Sequence, residues 1–465
     1  MDAMEEKRSA WQLMERFQGD KVILMITVLL MLTSVVSIFS SSSLLAVQQN
    51  TDRFSIVKDQ LIVMALGLAV VALCYFVIRN VKVYKFFSQF GFAFSLILLL
   101  ILVSGANLGF ISARTVNGAQ RVLLVAGKQI HVYEVVKVCM VMYLAWAITA
   151  YKDDEFWFAN WFGGKNESFS WLLKPFWKKF LYIYVPVLSV MGLVFLGSFS
   201  SAMFIGLILI VTILVGGVGL KEVGLLAVVM GLLLGGIFFA YGKGWIGETG
   251  RMATAISRLT NNDEKTMEQM LAAKPYSAEF NSARDKLKQP VSAQLAIKEG
   301  GFFGKGIGNS TQKYVVPVFY GDYIYSFLIE ETGFLGGVLI LLLYLSLFAR
   351  GAIIAKDCGD NYFAKTAVAG LIILISGQAF MHMAVNVHLA PQTGQTLPLI
   401  SHGDSSFLVF SLAFGILLSF SRSVRVKMLR REAEADASPL IEHHDEVRSA
   451  LEDLDQLDNL ESEEL

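Results

Sequence analysis

Ionisable side chains set within apolar stretches are the first candidates for chemistry. A charge at the centre of a membrane-spanning helix costs roughly 2.5–3.5 kcal/mol on insertion scales, so it persists where it has work to do. Glu134 and Lys137 stand three apart in an apolar run, one above the other on a single helix face, where they can neutralise each other. Spacing alone leaves two readings open: a pair that only solves its own burial, or a polar site. Asp322, with Glu330 and Glu331 behind it, lies in the run Phe319-Tyr-Gly-Asp-Tyr-Ile-Tyr-Ser-Phe-Leu-Ile-Glu-Glu-Thr-Gly333, where polar chain meets apolar chain. A carboxylate there can meet both a lipid headgroup and water. The bland alternative is a helix-end aspartate, with Tyr320, Tyr323 and Tyr325 as interface anchors.

Two further segments are rich in polar groups. Gly300-Gly-Phe-Phe-Gly-Lys-Gly-Ile-Gly-Asn-Ser-Thr-Gln-Lys313 fits neither the spacing nor the strand–turn–helix context of a phosphate loop. Its glycines instead permit tight turns, with Lys305 and Lys313 available to an anionic ligand. The stretch from Asn386 to Ser406 is polar and turn-rich between two apolar runs. Non-helical backbone at membrane depth is tolerated only where protein buries it or water bathes it, so this stretch is expected to be re-entrant or to line a cavity. His388 and His402 show no paired spacing and are expected to make plain hydrogen bonds.

The elements that position these groups follow from composition. The 465 residues are 55% hydrophobic and 17% charged, with a mean hydropathy of +0.56, too apolar for a water-exposed surface. Apolar runs long enough to cross roughly 30 Å of hydrocarbon recur near residues 21–41, 60–78, 86–105, 133–151, 180–197, 201–217, 223–241, 322–349, 364–387 and 404–421. The expectation is an all-α polytopic membrane protein of about ten transmembrane helices. Val22 to Phe39 lacks a small-residue cleavage site and reads as a retained first helix. Lys7, Arg8, Arg16 and Lys21 precede the first run, and Arg422, Arg425, Lys427, Arg430 and Arg431 follow the last, so both ends are expected in the cytoplasm. Residues 1–20 then form a cytoplasmic segment, 21–425 the transmembrane domain, 242–321 a large outer loop and 426–465 a disordered acidic tail. The outer segments 105–132, 242–321 and 388–403 can converge over one cavity. Cys74, Cys139 and Cys358 have no zinc-like spacing, and neither a disulfide nor a structural metal is expected. No basic patch for nucleic acid is evident.

At these residues the chain resembles the SEDS family (shape, elongation, division and sporulation), which includes FtsW and RodA. Asn117-Gly-Ala-Gln-Arg121 is similar to the family's N-G-A-x-R-W, and Glu134 with Lys137 occupies its S-E-x-x-K. Gly300 to Lys313 resembles its glycine-rich run ending in S-x-Q-K, and Gly321 to Gly333 its D-F-I-F…E-E-x-G block. Pro391-Gln-Thr-Gly394, Leu397-Pro-Leu-Ile-Ser401 and Ser405-Ser406 are similar to P-x-T-G…L-P-F-I-S-Y-G-G-S-S. Val122 replaces the usual tryptophan, His131-Val132-Tyr133 replaces Q-P-S, and Asp404 replaces a glycine. Gly197-Ser-Phe-Ser-Ser-Ala202 stands in place of the family's P-D-x-G, which favours an FtsW-like over a RodA-like member.

The resemblance implies a peptidoglycan glycosyltransferase of the bacterial inner membrane that polymerises lipid II. A sugar hydroxyl attacks an anomeric carbon and expels undecaprenyl pyrophosphate. It implies Asp322 as general base, and a substrate site formed by Arg121, Glu134, Lys137, Lys58, Lys305, Lys313, Glu330, Glu331, Asn386, Thr393, Ser401, Ser405 and Ser406. Lys137, Arg121 and Lys58 would face the pyrophosphate, with a divalent cation (Mg or Mn) as an additional screen. Implied partners are a class B penicillin-binding protein and other proteins of the division or elongation complex. Two other classes remain open. A lipid II flippase would need groups reachable from both faces, and transporters commonly show internal repeats, of which none is detected. A non-enzymatic scaffold would place the function in the tails.

Overall fold

The computed structural model describes residues 17–105, 107, 109, 111–116, 119–165, 167–219, individual positions between 221 and 239, 263–315 and 319–431. The predicted span at 223–241 lies largely outside the described residues, as do Asn117, Gly118 and the acidic tail beyond residue 431.

Helix α1 (Lys21–Gln49) starts at Asp20, whose carboxylate accepts the Val22 and Ile23 amides at 2.9 and 3.0 Å, as expected of an N-cap. The helices α2 (Arg53–Ala72), α3 (Val81–Ser88) and α4 (Gly91–Ser104) follow, α2 ending in a π-turn at Leu73–Val77. The central helix α5 (Val132–Lys152) is the most enclosed, with 83% of its apolar window buried. After it come α6 (Trp157–Lys165), α7 (Pro175–Gly197, with a π-turn at Phe180–Tyr184) and α8 (Phe199–Val215). Two polar helices, α9 (Asp263–Ala272) and α10 (Ala278–Gly300), precede α11 (Ile324–Asp357), α12 (Tyr362–Asn386) and α13 (Asp404–Arg431).

Among the described residues, seven helices are long and apolar enough to cross a bilayer, and the pair α3–α4, bent by 44°, makes an eighth; α8 is a shorter apolar helix. The nine predicted spans outside 223–241 each fall on one of these helices. The expectation of a purely helical chain needs one correction. Residues between α4 and α5 form a three-stranded antiparallel meander, β1 (Ile111–Val116), β2 (Ala119–Val125) and β3 (Lys128–His131), that caps one end of the bundle.

α11 is one element by sequence and two by exposure. From Ile324 to Glu331 every residue is buried, whereas Phe334, Leu339 and Leu342 beyond Gly333 are about half exposed. Lipid contact therefore begins at Phe334, and residues 334–350 cover about 25 Å, close to the hydrocarbon thickness. Gly333 has φ 76° and breaks the helix. The break leaves backbone groups without helical partners, and the glycine-rich loop supplies them. The Lys305 and Gly306 amides donate to the Glu330 and Glu331 carbonyls, both at 2.9 Å, and the Phe334 amide donates to the Gly301 carbonyl at 2.9 Å. Two backbones this close leave no room for side chains. A Cβ on Gly304 (φ 82°) would lie 2.2 Å from the Glu331 carbonyl oxygen, and one on Gly333 would lie 2.3 Å from that of Phe302.

At the other end of the bundle, Arg350 of α11 pairs with Asp20, whose amide donates to Ser421 of α13 at 2.9 Å. One aspartate thus caps α1 and ties it to two other helices.

Gly304→Ala and Gly333→Ala should each destabilise the protein by more than the roughly 1–2 kcal/mol of a left-handed residue, because backbone collision adds to the strain. Gly308→Ala, with φ 89° but open surroundings, should lose only the strain. Thermal melting of the three variants in detergent checks the order, and equal losses would contradict it.

Candidate functional site

A cavity of about 660 Å³ opens at the end of the bundle capped by the meander. Its walls come from three separate parts of the chain: Arg121, Val122, Lys128, Gln129 and His131 of the meander, Gly321 and Asp322 before α11, and Gly394, Gln395, Thr396, His402, Gly403 and Asp404 between α12 and α13. Tyr133 and Glu134 of α5 and Ser201 of α8 complete it. The expected convergence of three polar segments over one cavity is realised by the meander, the end of the long loop and the α12–α13 connection.

Asp322 is half-buried on this wall, at the end of a single helical turn (Phe319–Asp322) separate from α11. Its backbone is held from below. Asn386 donates to the Asp322 carbonyl at 3.1 Å and accepts the Ser326 amide at 2.9 Å, while Ser401 donates to the Gly321 carbonyl at 3.0 Å. Asn386 is fully buried and sits at the last turn of α12. The expectation that Tyr323 and Tyr325 anchor at the interface is not met. Both are buried, and the Tyr325 hydroxyl donates to the Gly337 carbonyl at 3.1 Å, spanning the helix break.

Glu134 and Lys137 are one turn inside α5, with Glu134 placed favourably near the helix N-terminus. Lys137 is 2% exposed and spends all three ammonium protons on neighbours: Glu134 at 2.8 Å, Gln395 at 2.9 Å, and Gln378. Gln378 then donates to the Thr396 carbonyl at 2.9 Å, and Gln395 to Ser201 at 3.3 Å. Lys137 therefore lies beneath the cavity floor, and Glu134 and Gln395 form the surface above it. A fully occupied cation of this kind fixes the connection Gln395–Thr396 to α5 and α12.

Arg121, half-buried on β2, donates to Ser198 at 3.2 Å, and Ser198 donates to Ser201 at 3.0 Å. Its Nε has no partner among the described residues. Gly394 (φ 63°) makes room for the guanidinium, since a Cβ there would lie 2.7 Å from Nη1. Ser405 accepts the His131 amide at 2.9 Å, joining the α13 end of the wall to β3. Ser406 and Thr393 are buried beside the cavity and do not line it.

The remaining expected substrate residues lie elsewhere. Glu330 is fully buried and accepts from Lys305 at 2.7 Å, from Ser310, and from the Thr311 amide at 2.8 Å. Glu331 accepts from Ser40 and from the Gly308 amide at 3.0 Å. Lys313 donates to the Gly308 carbonyl at 2.6 Å. These groups fasten the glycine-rich loop to the broken helix. Lys305 is held by Glu299 and Glu330, and the hydrogen bond from Lys305 keeps the Glu299 carboxyl below its usual range. Lys58 is exposed on α2 and does not line the cavity.

Sequence reasoning did not single out Gln378, and it met Ser198, Ser201, Gln395 and His131 only inside motifs, without assigning them to the site. Gln378 carried a usable signal, a lone amide deep in an apolar run. Three departures from the family pattern prove to be neighbours: Val122 and His131 are paired across β2 and β3, and Asp404 shares their cavity wall. Burial pushes the His131 imidazole below its ordinary pKa; Glu134 and Asp322 oppose that shift, and Arg121 and Lys137 add to it.

Fold and site together define a multi-pass helical membrane protein whose interrupted helices frame one polar cavity at one face. A family model described as FTSW_RODA_SPOVE, cell cycle protein, matches residues 20–426, and the chain belongs to that family. It is similar to the probable peptidoglycan glycosyltransferase FtsW of Geobacter sp. (strain M18), 27% identical over 418 residues that cover 89% of this chain and 99% of the relative. A relative of the same name from Alcanivorax borkumensis is 29% identical, over 86% and 92% of the two chains. These names agree with the FtsW-like reading of Gly197–Ala202. Among solved structures, a chain from a study of how a peptidoglycan synthase complex coordinates polymerization and crosslinking matches with a TM-score of 0.59 at 20% identity, covering 87% of this chain and 98% of that one. The rod shape determining protein RodA of Thermus thermophilus matches with a TM-score of 0.53 at 20% identity, over 87% and 97% of the chains. The structural matches establish the fold.

Lys137→Met leaves Glu134 buried without its cation and should destabilise by about 3–5 kcal/mol, whereas adding Glu134→Gln in the same chain should recover most of that loss. A denaturation cycle of the two single variants and the double variant reads the coupling. The His131 shift sets a pH dependence. The unfolded chain binds the proton more readily than the folded one, so stability is complete above the unfolded pKa of about 6.5 and falls as pH drops toward the lower folded value. Melting temperatures at pH 7.5 and 5.5 should therefore separate less in His131→Gln than in the parent chain.

Proposed function

We propose that this chain is a peptidoglycan glycosyltransferase of the FtsW type, which polymerises lipid II at the outer face of the bacterial inner membrane with Asp322 as general base. The observation that carries the reading is a carboxylate on the wall of a polar cavity, on a backbone clamped by Asn386 and Ser401. The names of the curated relatives support the activity, and the basic residues at the Asp20–Arg350 end support an outward-facing cavity under the positive-inside rule.

In this mechanism Asp322 takes the proton of an attacking sugar hydroxyl as the new glycosidic bond forms. The bond from the anomeric carbon to the diphosphate breaks, and undecaprenyl pyrophosphate leaves with the electron pair. Arg121, a guanidinium on the cavity wall, is the side chain suited to the departing diphosphate. Lys137 acts indirectly on this reading, by holding Glu134 and Gln395 at the cavity floor. A divalent cation bound to the diphosphate would supply further screening of the leaving group; among the described residues no group of three His, Cys, Asp or Glu side chains would hold it without substrate. The neighbour from a peptidoglycan synthase complex that coordinates polymerization and crosslinking supports a crosslinking partner, which the family resemblance makes a class B penicillin-binding protein of the division or elongation complex.

Asp322→Asn should leave the melting temperature near that of the parent chain and lower polymerisation of purified lipid II by about 10²-fold or more. Full glycan synthesis by a well-folded sample would remove Asp322 as base. Lipid II transport without polymer from the parent chain would favour the flippase reading, and polymer lost only on tail truncation would favour a scaffold.

A further inference from the structure

The linker between α5 and α7 carries a surface that the cavity does not use. One side of α6 is packed: Ala159 is buried with Phe156, Ala150 and Leu172 in a small core of their own, and a Cβ on Gly163 would lie 2.8 Å from Leu173. The opposite side presents Trp157, Phe158 and Trp161, at 72%, 54% and 46% exposure, followed by Phe169 at 41% on the short helix Glu167–Leu173. Single exposed apolar residues are ordinary, but a contiguous aromatic face of this size needs an occupant.

Three observations identify that occupant as lipid. The face is continuous, through Phe169 and Trp171 of the short helix, with the exposed first turn of the bilayer-crossing helix α7. Trp171 packs edge-on against Trp177 at 4.7 Å, Trp177 against Phe176 at 5.6 Å, and Phe176, 59% exposed on the first turn of α7, stacks on Phe180 at 6.1 Å. The linker also lies at the right depth, because α5 ends at Lys152 and α7 begins at Pro175, the two ends of adjacent bilayer-crossing helices. Its charges are arranged for an interface: Lys165 lies 5.0 Å over the Trp161 ring, while Asp154 is taken by Lys178, and Asp153 and Glu155 by Lys85. An ammonium held over an exposed indole, amid further exposed aromatics, is the chemistry of a headgroup layer.

We propose that α6 and the short helix after it form an amphipathic element lying in the headgroup–acyl boundary of the leaflet opposite the cavity, with Trp157, Phe158, Trp161 and Phe169 inserted and Lys165 and Lys174 on phospholipid phosphates. The element pins the Lys152 end of α5, the helix whose other end carries Glu134 and Lys137, and so fixes the depth of the cavity floor. The proposal is independent of the reaction carried out in the cavity.

The test uses the full chain with tryptophan replaced by phenylalanine everywhere except position 157, and a second chain keeping only Trp161. Each is reconstituted in vesicles of equal parts phosphatidylcholine and phosphatidylglycerol whose acyl chains are brominated either near the headgroup or near the bilayer centre. The expected result is fluorescence quenching at least severalfold stronger with the shallow bromines, together with weak quenching by aqueous acrylamide in both chains. Strong acrylamide quenching without bromolipid quenching, in protein whose melting temperature matches the parent, would overturn the proposal and assign the face to water or to a soluble protein partner. Stronger quenching from the deep bromines would also overturn it, since the segment would then lie in the hydrocarbon core.

Discussion

Backbone amides and carbonyls at membrane depth must find partners within the protein, and this requirement shapes everything around Asp322. The chain leaves helical geometry at Tyr323 and again at Gly333, on either side of a short, wholly buried helical segment. Each departure frees polar backbone in a place where lipid cannot satisfy it. The glycine-rich loop closes on the second break with main-chain hydrogen bonds, while Asn386 and Ser401 close on the first. A continuous helix would have needed none of these devices, but it would also have carried the carboxylate of residue 322 along a regular helix face. Interrupting the helix frees Asp322 to sit on the cavity wall.

The acidic pair Glu330–Glu331 belongs to the same logic. Two carboxylates buried side by side would repel and would be poorly solvated, so each has its own set of donors: Lys305, Ser310 and Thr311 for one, Ser40 and Gly308 for the other. Their charges hold the loop by many directed bonds, and a well-connected ionic network specifies one arrangement where an apolar contact would tolerate several. Rigidity here is transmitted a short distance along the segment to Asp322. The Glu134–Lys137 network performs the matching task at the cavity floor, tying α5, α12 and the α12–α13 connection through a single ammonium group.

The spans were legible because a bilayer imposes a length and a polarity that any apolar run of about 20 residues satisfies, whatever it packs against. The charged candidates were legible for the complementary reason, since polar groups stand out against such runs. Contacts between runs were not. Nothing in the spacing of Gln378 or Gln395 points to Lys137, more than 240 residues away in the chain for each. Likewise Lys305 and Glu330 looked like ligand groups because sequence does not show that they neutralise each other. The meander had a local signature that went unused: Asn117-Gly118 stands between β1 and β2, and Ala126-Gly127 between β2 and β3, at the positions where a two-residue hairpin connection is expected. Strands of four to seven residues between long apolar helices are easily read as loop.

The meander also changes how the departures from the family pattern are understood. Taken along the sequence, Val122, His131 and Asp404 are three unrelated changes; in space they are one wall. Val122 faces His131 across the β2–β3 ladder, and the His131 amide is held by Ser405, next to Asp404. Removing an indole at 122 leaves volume beside residue 131, where an imidazole now lines the cavity, and the added carboxylate at 404 places a negative charge on the same rim. All three sit on one surface of the cavity. Asp322 and Ser401 keep the family pattern, so this chain varies the rim of its cavity while the hydrogen bond from Ser401 to the backbone before Asp322 stays the same.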